Sequence, residues 1–226
     1  MSSEDQSASI SPGRRVPRRK KVSKVASQRR RDLIEAAIRS IAAVGYEAVT
    51  IISICEEAGF SRGLIGHYFK GKDDLLLEAI ETITTELGEA TRQASANAGP
   101  DAIDRLHAVI RASFTPPGFT PEKVAVWVAL TSTARWSPRL AEIYRRLWKD
   151  WREGIARLFD KAAEQHNLTV DSRLAALTLS QLIEGFWVGW AADPATVTER
   201  KAEAACHQYL DMLFAGTGKR DVKPAG

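Results

Sequence analysis

The chain is poor in the residues from which most enzymes and metal sites are built. Its 226 residues include only two cysteines and four histidines. Cys55 and Cys206 have no metal-ligand spacing, and His67, His107, His166 and His207 are dispersed, so no metal site is expected. No nucleophile-base set can be assembled from these residues, which leaves a helical-bundle enzyme as the disfavoured alternative, and nothing calls for a cofactor. No run of about 18 apolar residues occurs, and the N-terminus is charged rather than hydrophobic, so neither a membrane span nor a signal peptide is expected. The two isolated cysteines suit small core residues of a reduced, cytoplasmic protein. Strand-like alternation of useful length is also lacking, which points to an all-α fold. With 44% hydrophobic residues, the chain can bury a core or split into two small domains.

What the sequence does contain is charge placed unevenly. Residues 1–31 hold ten of the 32 Lys and Arg but two of the 28 Asp and Glu, a net of +8. The remaining 22 basic and 26 acidic residues leave the rest of the chain at −4. A polybasic arm rich in Ser, Pro and Gly is expected to be disordered and attracted to phosphate. A solubilising tail is the alternative.

The most informative stretch runs from Thr50 to Leu77, TIISICEEAGFSRGLIGHYFKGKDDLLL. Ile51, Ile54 and Ala58 share one face of a short helix, and Gly59 breaks it where a left-handed residue is usually needed. Ser61 can cap a second helix packed through Leu64, Ile65, Tyr68 and Phe69. This leaves Arg62, His67 and Lys70 outward as hydrogen-bond donors. Two short helices joined by a Gly-containing turn make a helix-turn-helix, whose second helix commonly enters the major groove. A core helix pair with no such role is the plain alternative.

The pattern T-I-x-x-I-x-x-x-A-G-x-S-x-G-x-I-x-x-Y-F-x-x-K-x-x-L-L resembles the TetR family of transcriptional regulators. The resemblance implies a three-helix DNA-binding head, a helical body that binds a small molecule, and a homodimer on double-stranded operator DNA. The candidate DNA-binding set is Thr50, Ser61, Arg62, Gly63, Leu64, His67, Tyr68, Phe69, Lys70 and Lys72. The expected plan is a disordered basic arm (1–26), the head (27–71), a ligand-binding and dimerisation domain (72–215) and a flexible tail (216–226), in a cytoplasmic, nucleoid-associated protein. An amphipathic helix runs from Ser27 to Val44 and stops at Gly45, and a longer one starts near Lys72 with the stripe Leu76, Ile80, Ile83 and Leu87. Helices follow at about 101–114, 121–135, 138–165, 171–192 and 198–214; Thr120-Pro121 and Ser137-Pro138 are start signals for two of them. The family pairs the last two helices of each subunit, and Leu177, Leu182, Ile183 and Phe186 with Tyr209, Leu210, Leu213 and Phe214 offer apolar surface for that.

Six tryptophans lie between residues 127 and 190, and Glu184 stands in the otherwise apolar helix LSQLIEGFWVGW, three residues before Trp187. A carboxylate there needs a partner, either an arginine of the chain or a cationic ligand held against indole faces. The segments S-x-G-L-I-x-H-Y-F, L-I-E-G-F-W and V-W-V-A-L resemble the BetI branch of the family, choline-responsive repressors of glycine-betaine synthesis. That resemblance implies an effector site at Trp127, Glu184 and Trp187 for a choline-like cation. A regulator of efflux or catabolic genes that senses a hydrophobic or aromatic effector is the alternative within the same family.

Overall fold

A computed structural model describes residues 24–216, and among these the chain forms nine helices and no strand. In order they are α1 (Lys24–Ala48), α2 (Ile51–Ala58), α3 (Arg62–Ile65), α4 (Lys72–Asn97), α5 (Ala102–Ala112), α6 (Pro121–Ala134), α7 (Pro138–His166), α8 (Ser172–Ala192) and α9 (Glu199–Gly216). The all-α expectation holds. None of the described helices is long and apolar enough to cross a membrane.

Local chemistry sets most of the boundaries. Thr50 and Ser53 form a reciprocal capping box at the start of α2, and Gly59 closes it at φ 68°, in the left-handed region. Asp101, Thr120, Ser137 and Asp171 each accept backbone N–H bonds at the starts of α5, α6, α7 and α8. Gly45, at φ 77° and ψ 161°, interrupts α1 at the expected stop, although a helical turn resumes behind it up to Ala48.

Several boundaries differ from expectation. α1 begins at Lys24, so residues 24–26 are helical rather than part of an arm; the remaining arm, 1–23, lies outside the described residues, as does the tail from 217 on. Ser61 occupies the N-cap position of α3 but makes no capping hydrogen bond. Regular helix stops at Ile65, because Gly63 and Gly66 weaken this stretch. The chain continues as irregular turns in which the amides of His67, Tyr68 and Phe69 donate to Leu64 O and Ile65 O at 3.1, 2.9 and 2.9 Å.

One continuous core runs from head to body. Leu33, Ala37, Ile41, Ile54, Ile65 and Phe69 fill the head, and Leu76, Ile80 and Ile83 carry the core along α4. Both cysteines are buried small residues, and burial pushes the Cys206 thiol up to about 12. α1 packs against α2 and α4 within the head and against α6 of the body. Of the apolar residues expected to serve pairing, Leu177 is exposed and Leu182, Phe186, Tyr209, Leu213 and Phe214 are half-buried. Ile183 and Leu210 belong to the core of the protomer itself, and the Phe214 ring meets Phe159 at 6.0 Å. The apolar residues left outside are Leu174, Leu177 and Val188 on α8 and Met212 on α9.

Candidate DNA-reading head and effector cavity

In the head, Thr50, Ser61, Arg62, Gly63, His67 and Lys70 are all exposed. A Cβ placed on Gly63 would meet no atom within 4 Å, so intramolecular packing does not require glycine there. Leu64 and Tyr68 are half-buried. Phe69 is not a surface group. It is 3% exposed and sits in the core beneath the Arg30 guanidinium, 4.6 Å from the ring centroid, which removes it from the DNA-binding set. Lys72 is half-buried: its ammonium donates to Glu47 O at 3.3 Å and lies 5.1 Å from the Tyr46 ring.

The two acids in the first turn of α4 are occupied. Asp74 accepts from the Lys70 amide at 3.2 Å and pairs with Arg139 at 3.3 Å, and the Lys70 bond foremost holds its carboxyl below the usual range. Asp73 accepts from the Tyr46 hydroxyl at 3.4 Å.

Arg30 has a role that its sequence neighbours conceal. Counted by charge, it belongs with the basic arm. In the structure it donates to Tyr68 O at 2.9 Å, pairs with Glu78 and covers Phe69, joining α1, the turn after α3, and α4. Burial pushes the Glu78 carboxyl up, and the Arg30 charge opposes that shift.

In the body, α4 to α8 line a cavity of about 750 Å³, and Trp127, Glu184 and Trp187 all reach it. Their rings are set edge-to-face, Trp127 to Trp187 at 6.2 Å and Trp127 to Trp148 at 5.6 Å. Trp187 is fixed by its Nε1–H, which donates to Ser113 O at 3.0 Å. Among the described residues the buried indole N–H of Trp127 finds no acceptor, and that of Trp148 has only the nearby Tyr144 hydroxyl, too poorly placed for a regular hydrogen bond. Such a donor costs about 1–3 kcal/mol until something accepts from it.

Glu184 is half-buried and accepts from the Tyr144 hydroxyl at 2.8 Å and from Gln181 Nε2 at 2.9 Å. No described Lys, Arg or His forms an ion pair with it. Its hydrogen bonds are therefore partly met while its charge is not neutralised. Burial and this bond push the Tyr144 phenol up to about 12, so it stays a donor.

Two further aromatic residues were within reach of sequence reasoning. Trp148 and Trp151, three apart on α7 and therefore on one face, both line the cavity. Tyr144 gave no such signal, because its partner lies 40 residues away. Conversely, Trp136 is 79% exposed and Trp190 donates to Glu199 at 3.0 Å, so the tryptophan count alone overstates the aromatic lining. Among the described residues no group of three or more His, Cys, Asp or Glu could hold a metal ion.

Comparison with known proteins agrees with both halves of this arrangement. Residues 33–79 match the bacterial regulatory proteins of the tetR family, and residues 102–215 match the C-terminal domain of BetI-type transcriptional repressors. The HTH-type transcriptional regulator BetI of Stenotrophomonas maltophilia (strain R551-3) is 30% identical over 187 residues, 81% of this chain and 92% of that protein. A transcriptional-regulator structure from Pseudomonas aeruginosa PAO1 superposes with a TM-score of 0.75 at 31% identity, over 84% of this chain and 92% of that one. A regulator from Saccharomonospora viridis, solved in complex with choline, has the same fold with a TM-score of 0.75 at 24% identity, over 82% of this chain and 96% of that one. Neither matching family describes an enzyme. The chain belongs to the TetR family of DNA-binding transcriptional regulators and carries the C-terminal domain of the BetI-type repressors.

Proposed function

We propose that this repressor acts as a homodimer on a pseudo-palindromic operator and leaves it when a small organic cation such as choline enters the body cavity. The observation that carries the effector reading is Glu184. A half-buried carboxylate with no cationic partner among the described residues, set in a cavity lined by Trp127, Trp148 and Trp187, favours a cation without N–H donors. A fold neighbour bound to choline supports it. Titrating choline should quench tryptophan fluorescence and release labelled operator DNA over the same concentration range. Release without quenching, or quenching without release, would separate binding from regulation and sink the reading.

Coupling has two physical routes. α4 lines the cavity and runs on to the head, and α6 carries Trp127 in the cavity while packing against α1 of the head. A ligand that prefers one setting of these helices shifts the population toward a head spacing that no longer fits successive major grooves. The exposed Leu174, Leu177, Val188 and Met212 support α8 and α9 as the pairing surface, and a dimer would present two heads to two half-sites. The working compartment in this reading is the cytoplasm, at the nucleoid.

Within the head, Arg62 and His67 approach bases, Tyr68 and Lys72 meet phosphates, and Gly63 permits close backbone approach. Replacing Lys72 with Ala should weaken operator and unrelated DNA by the same factor, whereas Arg62→Ala should relax sequence preference by about 1–3 kcal/mol. Equal losses of specificity in the two variants would show the assignment to be wrong.

The arm tests separately. Deleting residues 1–23 removes Arg14, Arg15, Arg18, Arg19, Lys20 and Lys21. Operator preference should survive while the salt dependence of affinity flattens, by ~0.9 of a log unit per log unit of salt for each phosphate that the arm no longer neutralises. An unchanged slope would mean that these residues do not touch DNA.

A further inference from the structure

The cavity beside Glu184 is far larger than a trimethylammonium group needs, and its charges are sorted along its length. A cavity of ~150 Å³ already holds a benzene, and this one measures about 750 Å³.

α4 and α7 run side by side in the same direction. Arg139 with Asp74 and Arg146 with Glu81 tie them at one end, and Gln165 with Pro100 O and His166 with Asp101 tie α7 just past the end of α4; all four pairs are 65 residues apart. The cavity fills the interval between these ties, from Thr84 to Ala96 on α4 and from Leu147 to Lys161 on α7. Glu184 and Asp150 line it near Trp148. The cation beside them, Arg152, stands behind the lining, with its guanidinium 5.6 Å from the Trp148 ring centroid and its Nε donating to Trp148 O at 3.2 Å. Farther along stand Arg105, Arg157 and Lys161, with Arg92 on α4 level with Arg157 by the same 65-residue register. From Trp148 to Arg157 is ~13 Å along the helix, and to Lys161 ~19 Å.

The basic end has donors to spare. Arg105 is positioned by its Nε, which donates to Ser95 O and Oγ at 3.1 Å each. Arg92 is engaged by Glu89, but Arg105, Arg157 and Lys161 have no carboxylate partner among the described residues. A cation alone satisfies only one end of such a cavity. A long anion with an alkyl chain satisfies only the other and lays hydrocarbon against the Glu184 charge.

We propose that the cavity takes an elongated zwitterion, with its ammonium against Glu184 and the indoles of Trp127 and Trp187 and its anionic oxygens held by Arg105, Arg157 and Lys161. This rests on the reading of the cavity as the effector site and narrows the chemistry of the effector. The anionic group is a carboxylate or a phosphate, since both accept the same charge-assisted bonds from guanidinium and ammonium donors.

The test is a molecular ruler applied to the full chain. Tryptophan fluorescence is titrated with ω-trimethylammonio alkanoates of about four to about twelve methylenes, each beside its own carboxamide, which keeps length and cation but removes the anion. A parallel series ends in phosphate, and plain alkanoates form a third arm. At the best length the carboxylate or the phosphate should bind roughly tenfold tighter than the uncharged-ended control. The better of the two series identifies the anionic group. The double variant Arg157→Gln, Lys161→Gln should erase that advantage and leave the choline Kd unchanged; both residues are exposed, and an unchanged thermal melt confirms the fold.

Carboxylate, phosphate and amide binding alike at every length would overturn the proposal, as would a double variant that weakens choline as much as the zwitterion, or plain alkanoates binding as tightly as the zwitterions. If choline binds but the anion adds nothing, this inference alone falls. If no trimethylammonium compound binds, the cation site falls with it.

Discussion

Replacing Phe69 with Ala should destabilise the head by about 3–5 kcal/mol, the usual cost of deleting a buried phenyl ring. The ring is enclosed in the core, so the deletion leaves a cavity, and Arg30 loses the face on which its guanidinium rests. Against a total stability of about 5–15 kcal/mol, such a loss removes a large fraction of the folded population on warming. Operator binding should disappear as a consequence of unfolding, and thermal melting followed by circular dichroism should fall in parallel with it. His67→Ala, in the same short segment and exposed, should leave the melt within about 0.5 kcal/mol while still weakening the operator complex. A Phe69→Ala protein that melts normally yet loses DNA would return Phe69 to the DNA-contacting face. The contrast between these neighbours makes the experiment informative: one stretch of chain supplies core and reading surface on opposite sides.

Glu184→Gln should weaken choline by at least tenfold while leaving the fold intact. The amide oxygen of glutamine can still accept from Tyr144, so the polar contact that anchors position 184 survives. What goes is the negative charge. Between unit charges 4 Å apart in a partly desolvated site that charge is worth up to about 4 kcal/mol, and tenfold corresponds to about 1.4 kcal/mol. The choline isostere with carbon in place of nitrogen should bind both proteins equally and more weakly than choline binds the parent. Equal binding of choline and isostere to the parent would remove the case for a cation and favour a hydrophobic effector. Trp187→Ala is the less useful variant. Without its desolvated cation–π interaction the affinity should fall by about 1–2 kcal/mol, but Trp187 is also buried, bonded to Ser113 and set edge-to-face with Phe119 and Trp127. Its deletion damages the cavity wall along with the ligand interaction.

The sequence alone was enough for the order of the helices and most of their starts, though not for the early end of α3 or the first turn of α1. These depend on bonds that span three or four residues. The Thr50 cap, the left-handed Gly59 and the hydroxyl-proline starts at Thr120 and Ser137 are visible to anyone reading a short window. It also brought Trp127, Glu184 and Trp187 together through resemblance, and the structure sets all three on one cavity. What a short window cannot contain is which of several exposed-looking groups faces another helix. Arg30 reads as one more arm charge until Glu78 and Tyr68 O, 48 and 38 residues away, are beside it. Phe69 reads both as a packing residue and as a member of the DNA-binding set, and only its burial in the assembled head decides between the two. Ile183 and Leu210 carry the same apolar signal as a dimer face, but packing within one protomer claims them first. The sorting of acidic and basic groups along the cavity also arises from tertiary structure alone. It follows from the parallel register of α4 and α7, held by partners 65 residues apart, and periodicity within either helix carries no information about the alignment of the two.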